Sequence, residues 1–314
     1  MKTLLIINPY SRSGKSGALA QKAMTYLKQK NFAFDYVIIK EFDEAYKYSV
    51  EANNSGIDNI VAVGGDGTLN KVINGFFDEC GNKISGSGFG AIHTGTSPDF
   101  CKSYNIPSDP VQAADVIIGQ HVKNIPVGMI KLAHTFPPAQ SEVKYFVCCA
   151  NIGLGAALAR SAGSGIRAYL GDFLGTFISF IRILVTYKGT DYKVCINNEE
   201  AELKNIINIS VGITKYIASG ITVYRDEAVP DDQFYILKTG SVKIHNIPAL
   251  LRILYSGKKF SNKSFLSLEY ARRMEIDTSY VHPEVEFDGD PAGFLPCTIE
   301  IAKDRLPVFT NQRA

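Results

Sequence analysis

Nothing in this chain of 314 residues marks it for a membrane interior, an oxidising compartment or a polyanion. Its longest apolar run, Phe173 to Val185, carries Arg182, follows Asp172 and falls short of the ~20 residues that span a bilayer. It reads as a buried or surface-lying helix. The six cysteines (Cys80, Cys101, Cys148, Cys149, Cys195, Cys297) include no Cys-x-x-Cys pair. The opening segment has too short an apolar stretch for a signal peptide, so a cytoplasmic protein with reduced thiols is expected. A formal net charge of +2 gives no sign of bulk attraction to nucleic acid. No internal repeat and no low-complexity tract interrupts the chain. What is present, 46% hydrophobic and 20% charged residues, is ordinary globular composition, and the length exceeds what one core usually organises, which implies two domains.

The first third alternates between short apolar runs and helical patterns. Thr3–Ile7 reads as a strand, Gly17–Gln29 places Leu19, Ala23 and Leu27 on one helical face, Phe34–Ile39 is strand-like and Glu41–Asn53 helical. Strand Asn59–Val63, helix Thr68–Asp78, strand Phe89–His93 and a helix from about Pro110 to Gly119 continue the series. Strands alternating with helices predict a doubly wound parallel α/β domain over 1–125, to which the tail 303–314 returns. From 126 to 302 the segments are short, β-rich and separated by turn residues, apart from a helical stretch near 167–187. This predicts a mostly β second domain of the sandwich type. His134 to Glu142, with Pro137-Pro138, reads as a polar hairpin loop.

The informative stretch is Ile60 to Asn70, IVAVGGDGTLN, where an apolar strand breaks into Gly64-Gly65-Asp66-Gly67-Thr68 and then a helix. Glycines let a backbone turn with positive φ and approach a ligand closely. Amides of such a loop and of the helix after it point at phosphate oxygens. Asp66 would repel a phosphate unless it held a Mg²⁺ or faced a donor, so the stretch reads as a nucleotide–metal site. In parallel sheets ligands collect at the carboxyl ends of strands. There lie Asn8 to Lys15, the GGDGT loop, and His93 to Asp99.

Other strings carry less. Gly14-Lys15-Ser16 resembles the end of a phosphate-binding P-loop, but the required earlier glycine is Pro9. Gly153-Leu154-Gly155 lacks the third glycine of a dinucleotide fingerprint and reads as a tight turn at the second domain's first strand. His93 and His121 have no metal-ligand partner at useful spacing and read as satisfied structural histidines. Cys148 and Cys149 alternate across a strand, so their side chains cannot face one site.

Taken together, NPYSRSGK, VGGDGTLNKVING, HTGTSPDFCKSYNIP and, far downstream, Val285-Glu286-Phe287-Asp288-Gly289-Asp290 occur in the order and context of the diacylglycerol kinase catalytic family. That family also embraces sphingosine and ceramide kinases and soluble bacterial lipid kinases. The resemblance runs over nearly the whole chain, and the α/β domain is similar to that of NAD kinases as well. It implies transfer of a phosphoryl group from ATP to a lipid hydroxyl, with Mg²⁺ as cofactor and the acceptor entering a cleft between the domains. It also implies that Asn8, Gly64, Gly65, Asp66, Gly67, Thr68 and Thr96 cradle the nucleotide, with Lys15 or Arg12 neutralising phosphates. Asp66 is implied to be catalytic, and Asp288 matches the aspartate proposed as general base for the acceptor hydroxyl. A late acceptor for the hydroxyl proton is what phosphoryl transfer asks of a protein beyond positioning and charge neutralisation.

Three positions depart from the family pattern. Pro98 stands where an asparagine is usual, the downstream triplet is DGD rather than DGE, and Glu227 to Phe234 has no glycine where relatives show one. Asp231 and Asp232 in that last stretch read either as a structural metal site or as a turn. The partners expected are a lipid acceptor at a membrane surface, through transient peripheral contact, and a second copy of the chain; Phe173, Phe177 and Phe180 recur at helical spacing as one candidate contact. Alternatives are a kinase of another acceptor, a non-lipid alcohol or NAD, and a nucleotide-binding sensor with weak catalysis, for which Pro98 speaks.

Overall fold

The structure, a computed structural model, describes residues 1–10, 15–135, 143–157, 187–218, 220–278, 284–288 and 290–311. The chain divides into two compact units, 1–127 with 218–220 and 302–314, and 128–217 with 221–301. The helical stretch near 167–187 and the loop 136–142 lie outside the described residues.

The first unit holds strands β1 (Thr3–Ile7), β2 (Asp35–Ile38), β3 (Asn59–Gly64), β4 (Gly88–His93), β5 (Val122–Ile125) and β18 (Leu306–Phe309). They form one sheet in the order β2-β1-β3-β4-β18-β5, parallel from β2 to β18. Every residue of β3 and β4 is buried, as expected for strands covered by helices on both faces. The helices are α1 (Lys15–Gln29), α2 (Glu44–Asn54), α3 (Asp66–Asn74), α4 (Asp99–Ser103) and α5 (Pro110–Gly119). Ala20, Ala23, Met24 and Leu27 of α1 recur at helical spacing and pack with Leu5, Ile7, Val61, Val63 and Ile92 and with Ala113, Ala114 and Ile117 of α5. Helix α5 starts where read from the sequence because Asp109 caps it. Its carboxylate accepts the amides of Val111 at 3.0 Å and Gln112 at 3.1 Å, with Pro110 in the first turn.

The second unit is β-rich. Its strands are β6 (Gly128–Thr135), β7 (Val143–Phe146), β8 (Cys149–Gly153), β9 (Thr190–Ile196), β10 (Glu199–Gly212), β11 (Tyr216–Ile217), β12 (Ile221–Thr222), β13 (Phe234–Gly240), β14 (Leu266–Ala271), β15 (Arg273–Asp277), β16 (Glu284–Phe287) and β17 (Asp290–Ile301). One sheet runs β14-β13-β10-β8-β16-β17-β15-β9, and β9 pairs again with the first half of the long β10. The sheet therefore curls back on itself. Its strands enclose a core of Phe146, Ile152, Val194, Val211, Phe234, Met274, Val285 and Ile299, a sandwich-like layering built from continuous pairing. A second cluster, on Leu154, Tyr235, Leu237 and Phe265, takes the inner side of helix α6 (Ile247–Ser256). Strand β6 went unread in the sequence, and β8 is not the unit's first strand: β6 and β7 precede it as an antiparallel pair. Gly153 does make a turn there, with φ +97.

Candidate functional site

Three loops leave the carboxyl ends of β1, β3 and β4, which are neighbours in the sheet. Because β2 lies on one side of β1 and β3 on the other, the β1 and β3 loops diverge at a topological switch point, the place where open parallel sheets bind ligands.

Side chains join these loops. Asn8, 8% exposed, donates through Nδ2 to Thr68 Oγ1 at 2.9 Å, and its Oδ1 accepts the Tyr10 amide at 3.1 Å. Its carbonyl accepts the Ser16 hydroxyl at 2.8 Å, and that hydroxyl also meets Thr94 Oγ1 at 2.5 Å. The Thr94 amide donates to the Gly64 carbonyl at 2.8 Å. Each of the three loops is thereby tied to another through a buried polar group. Ser16 and Thr94, absent from the residues read from the sequence, make two of these ties. A hydroxyl has no sequence pattern that announces such a role.

The glycines serve space rather than handedness. Gly65 is extended, with φ −85 and ψ −179, and neither Gly64 nor Gly67 has a positive φ, so the expected left-handed turn does not occur. A Cβ at Gly64 would lie 2.5 Å from the Thr68 side chain, and one at Gly95 would lie 2.7 Å from the Gly65 Cα. The β3 and β4 loops thus touch backbone to backbone. Asp66, Gly67 and Thr68 form the first turn of α3, whose amides have no partner within the helix and attract an anion.

Asp66 is the charged member of this cradle. Burial raises its carboxyl above the ordinary value, and His93 acts against that shift. His93 Nε2 lies 3.5 Å from Asp66 Oδ1, at the outer limit of hydrogen bonding, and both atoms are buried without a hydrogen-bond partner. His93 is therefore not the satisfied structural histidine expected from the sequence; it faces the cradle's carboxylate. Thr96 is exposed in the β4 loop, and Lys15 is exposed as the first residue of α1. Arg12 lies outside the described residues. Pro98 occupies the position before α4 with no side-chain cap. A cavity of about 380 Å³ opens beside Asn8, lined by Tyr10, Ile39, Lys40, Glu41 and Phe42. That volume falls in the range of small-molecule sites.

In the second unit, Asp288 is the first residue of the two-residue turn between β16 and β17, where Phe287 pairs with Asp290, and its φ is +50. Asp-Gly in that place is the residue pair a tight hairpin asks for. Its carboxylate also accepts three backbone amides, Val147 at 2.8 Å, Cys148 at 2.8 Å and Cys149 at 3.1 Å, while its own amide donates to the Cys149 carbonyl at 3.0 Å. The two cysteines thus meet Asp288 through main chain. Beside it, buried Glu286 accepts from Asn151 Nδ2, and Asn151 Oδ1 accepts from Ser210 and Asn208. Neither Glu286 nor Asn151 was marked from the sequence.

Asp232 pairs with Arg272 at 2.9 Å, and Asp231 stands beside it in the turn before β13. Among the described residues, no group of three or more His, Cys, Asp or Glu side chains is arranged to hold a metal ion. A larger cavity of about 1030 Å³ lies in the second unit along β6, β9, β10, β15 and β17, and neither Asp288 nor its amide partners line it. No helix among the described residues is long and apolar enough to cross a membrane.

A parallel sheet flanked by helices, with a glycine-spaced acidic loop at its switch point, defines the first unit as a doubly wound α/β domain. Residues 2–130 match the family described as diacylglycerol kinase catalytic domain. Over 307 residues the chain is 23% identical to a diacylglycerol kinase of Staphylococcus saprophyticus, covering 98% of this chain and 94% of the relative. It is 22% identical to one of Staphylococcus epidermidis, covering 98% and 91%. A crystal structure of a diacylglycerol kinase from Bacillus anthracis str. Sterne superposes with TM-score 0.70 at 23% identity, covering 99% of this chain and 97% of that one. A second crystal structure from that organism reaches 0.75 at 24% identity. These superpositions show the fold. The named relatives support a kinase.

Proposed function

We propose that the protein transfers the γ-phosphoryl group of ATP to a lipid hydroxyl such as that of diacylglycerol, with Mg²⁺. The observation that carries this reading is the stitched cradle of the first unit, Asn8 to Thr68 and Gly65 against Gly95, within a segment that matches the diacylglycerol kinase catalytic domain family. The residues present fit a Mg²⁺-nucleotide. The backbone approach at Gly65 leaves no side chain in the way of phosphates, and the first-turn amides of α3 supply donors. The Asp66 oxygen with no hydrogen-bond partner would hold the cation, which takes one or two carboxylates and otherwise phosphate oxygens and water. Bound there, the ion would neutralise phosphate charge. The cavity beside Asn8 offers room for the base.

Asp288 is assigned to take the acceptor hydroxyl's proton. Three amides fix its carboxylate in one orientation, the positioning that a late acceptor of the hydroxyl proton needs. The same three bonds favour a second reading, a nucleotide-binding protein with weak catalysis in which Asp288 only closes its hairpin. Transfer of ³²P from labelled ATP into a total lipid extract in mixed micelles tests both, with Asp288→Asn alongside. A labelled lipid made by the unmutated protein alone supports the kinase. ATP binding with no labelled lipid supports the sensor.

A further inference from the structure

From Gln233 to Leu268 the chain contains six basic residues (Lys238, Lys243, Arg252, Lys258, Lys259, Lys263) and no aspartate or glutamate. Lys238 is neutralised by Glu269 at 2.9 Å and Lys259 by Asp226 at 3.3 Å. Lys243, Arg252, Lys258 and Lys263 make no ion pair among the described residues. This stretch surrounds helix α6. The helix buries Ile247 and Leu250 against the second unit's outer cluster, so it is fixed to the protein by one face. Its other face carries Pro248, Ala249, Arg252 and Tyr255, all exposed, and Ile244 continues that stripe in the turn before it. Ile244 is 72% exposed and Tyr255 61%.

Helix electrostatics explain only part of this pattern. Lys258 and Lys259 follow the helix C-terminus, where cations are favoured. Lys243 precedes its N-terminus, where they are disfavoured, and Arg252 points away from the body of the unit. An uncompensated positive field around two large exposed apolar side chains is complementary to a surface that is anionic and has an apolar interior. A nucleic acid would satisfy the charge, but it has no use for Ile244.

We infer that α6 and its flanks dock the protein on the surface of an anionic phospholipid bilayer, with Ile244 and Tyr255 entering the headgroup layer and Lys243, Arg252 and Lys258 meeting lipid phosphates. This deepens the lipid-kinase reading and rests on it for the purpose of docking, while its test does not depend on turnover. A basic residue near such a surface is worth ~1 kcal/mol, or about fivefold in partition.

The experiment is co-sedimentation of the full chain with vesicles of phosphatidylcholine alone and of phosphatidylcholine with one-third phosphatidylglycerol. It compares the unmutated protein, Lys243→Glu/Arg252→Glu/Lys258→Glu and Ile244→Ser/Tyr255→Ser, with thermal melts checking that each folds. The unmutated protein is expected to prefer anionic vesicles and to release them in high salt. The charge variant should lose on the order of a hundredfold in partition and the apolar variant several-fold, while phosphorylation of a short-chain acceptor in detergent micelles stays unchanged in both. Equal sedimentation of charge variant and unmutated protein overturns the inference. So does tight binding of a single-stranded RNA oligonucleotide without vesicle preference, which would assign the surface to nucleic acid. Absence of micellar turnover in the unmutated protein, beside intact vesicle binding, counts against the kinase reading and leaves the docking surface standing.

Discussion

Asn8 Nδ2 and Thr68 Oγ1, sixty positions apart in the chain, are hydrogen-bonded at 2.9 Å inside the first unit. The bond crosses the switch point between β1 and β3. It holds the two loops at the separation that leaves the first-turn amides of α3 facing outward. Asn8→Ala removes the donor and leaves the Thr68 hydroxyl and the Tyr10 amide without their buried partners. A loss of about 1–3 kcal/mol in unfolding free energy is expected, read from urea denaturation, with ATP affinity falling alongside. Unchanged affinity at reduced stability would separate this bond from the nucleotide site.

Asp66 sets stability against function. Its folded-state carboxyl titrates above the ordinary value of 3.8, mainly through burial. Below 3.8 both folded and unfolded chains hold the proton, and the group contributes nothing. As pH rises from there, the unfolded chain ionises first, so the native state loses stability until the raised folded value is passed, and the penalty persists above it. Asp66→Asn is therefore expected to raise the urea midpoint at neutral pH, with a gain that vanishes toward acid, while turnover disappears. A pH-independent difference between the two midpoints would contradict the buried-charge account.

For Asp288 two substitutions divide two roles. Asparagine tolerates the left-handed conformation, fits a tight hairpin and retains one oxygen for the amides of residues 147–149. Alanine retains none of the acceptors and costs about 2 kcal/mol or more. Asp288→Asn should stay folded and lower kcat far more than it weakens ATP binding. If both variants lose stability equally and the asparagine form keeps its turnover, the carboxylate serves the hairpin alone.

Pro98 sits immediately before α4 and supplies no cap. Asparagine there can accept an amide of the helix's first turn, a gain of ~1 kcal/mol, visible as a higher melting temperature. Increased transfer to diacylglycerol in Pro98→Asn would mean that proline had weakened the family's third loop. A higher melting temperature with unchanged transfer would mean that the loop serves another acceptor.

The periodicities were enough to recover most elements because they report burial, which each residue carries in its own chemistry. Helix α5 spans Pro110–Gly119 and β15 spans Arg273–Asp277, as read from the sequence. Short elements with weak periods escaped: α4 has five residues, and in β6 the apolar alternation is broken by Ala133-His134-Thr135.

Local chemistry determined that a strand ends in glycines at Gly64, that an aspartate follows them, and that Asp288-Gly289 can close a hairpin. Which groups meet was decided only by the tertiary structure. Asn8 reaching Thr68, His93 turned toward Asp66, and the amides of Cys148 and Cys149 converging on Asp288 join positions from 27 to 140 residues apart. Such pairs depend on sheet order and strand register. No single residue encodes these properties, since they follow from how all the strands share one core.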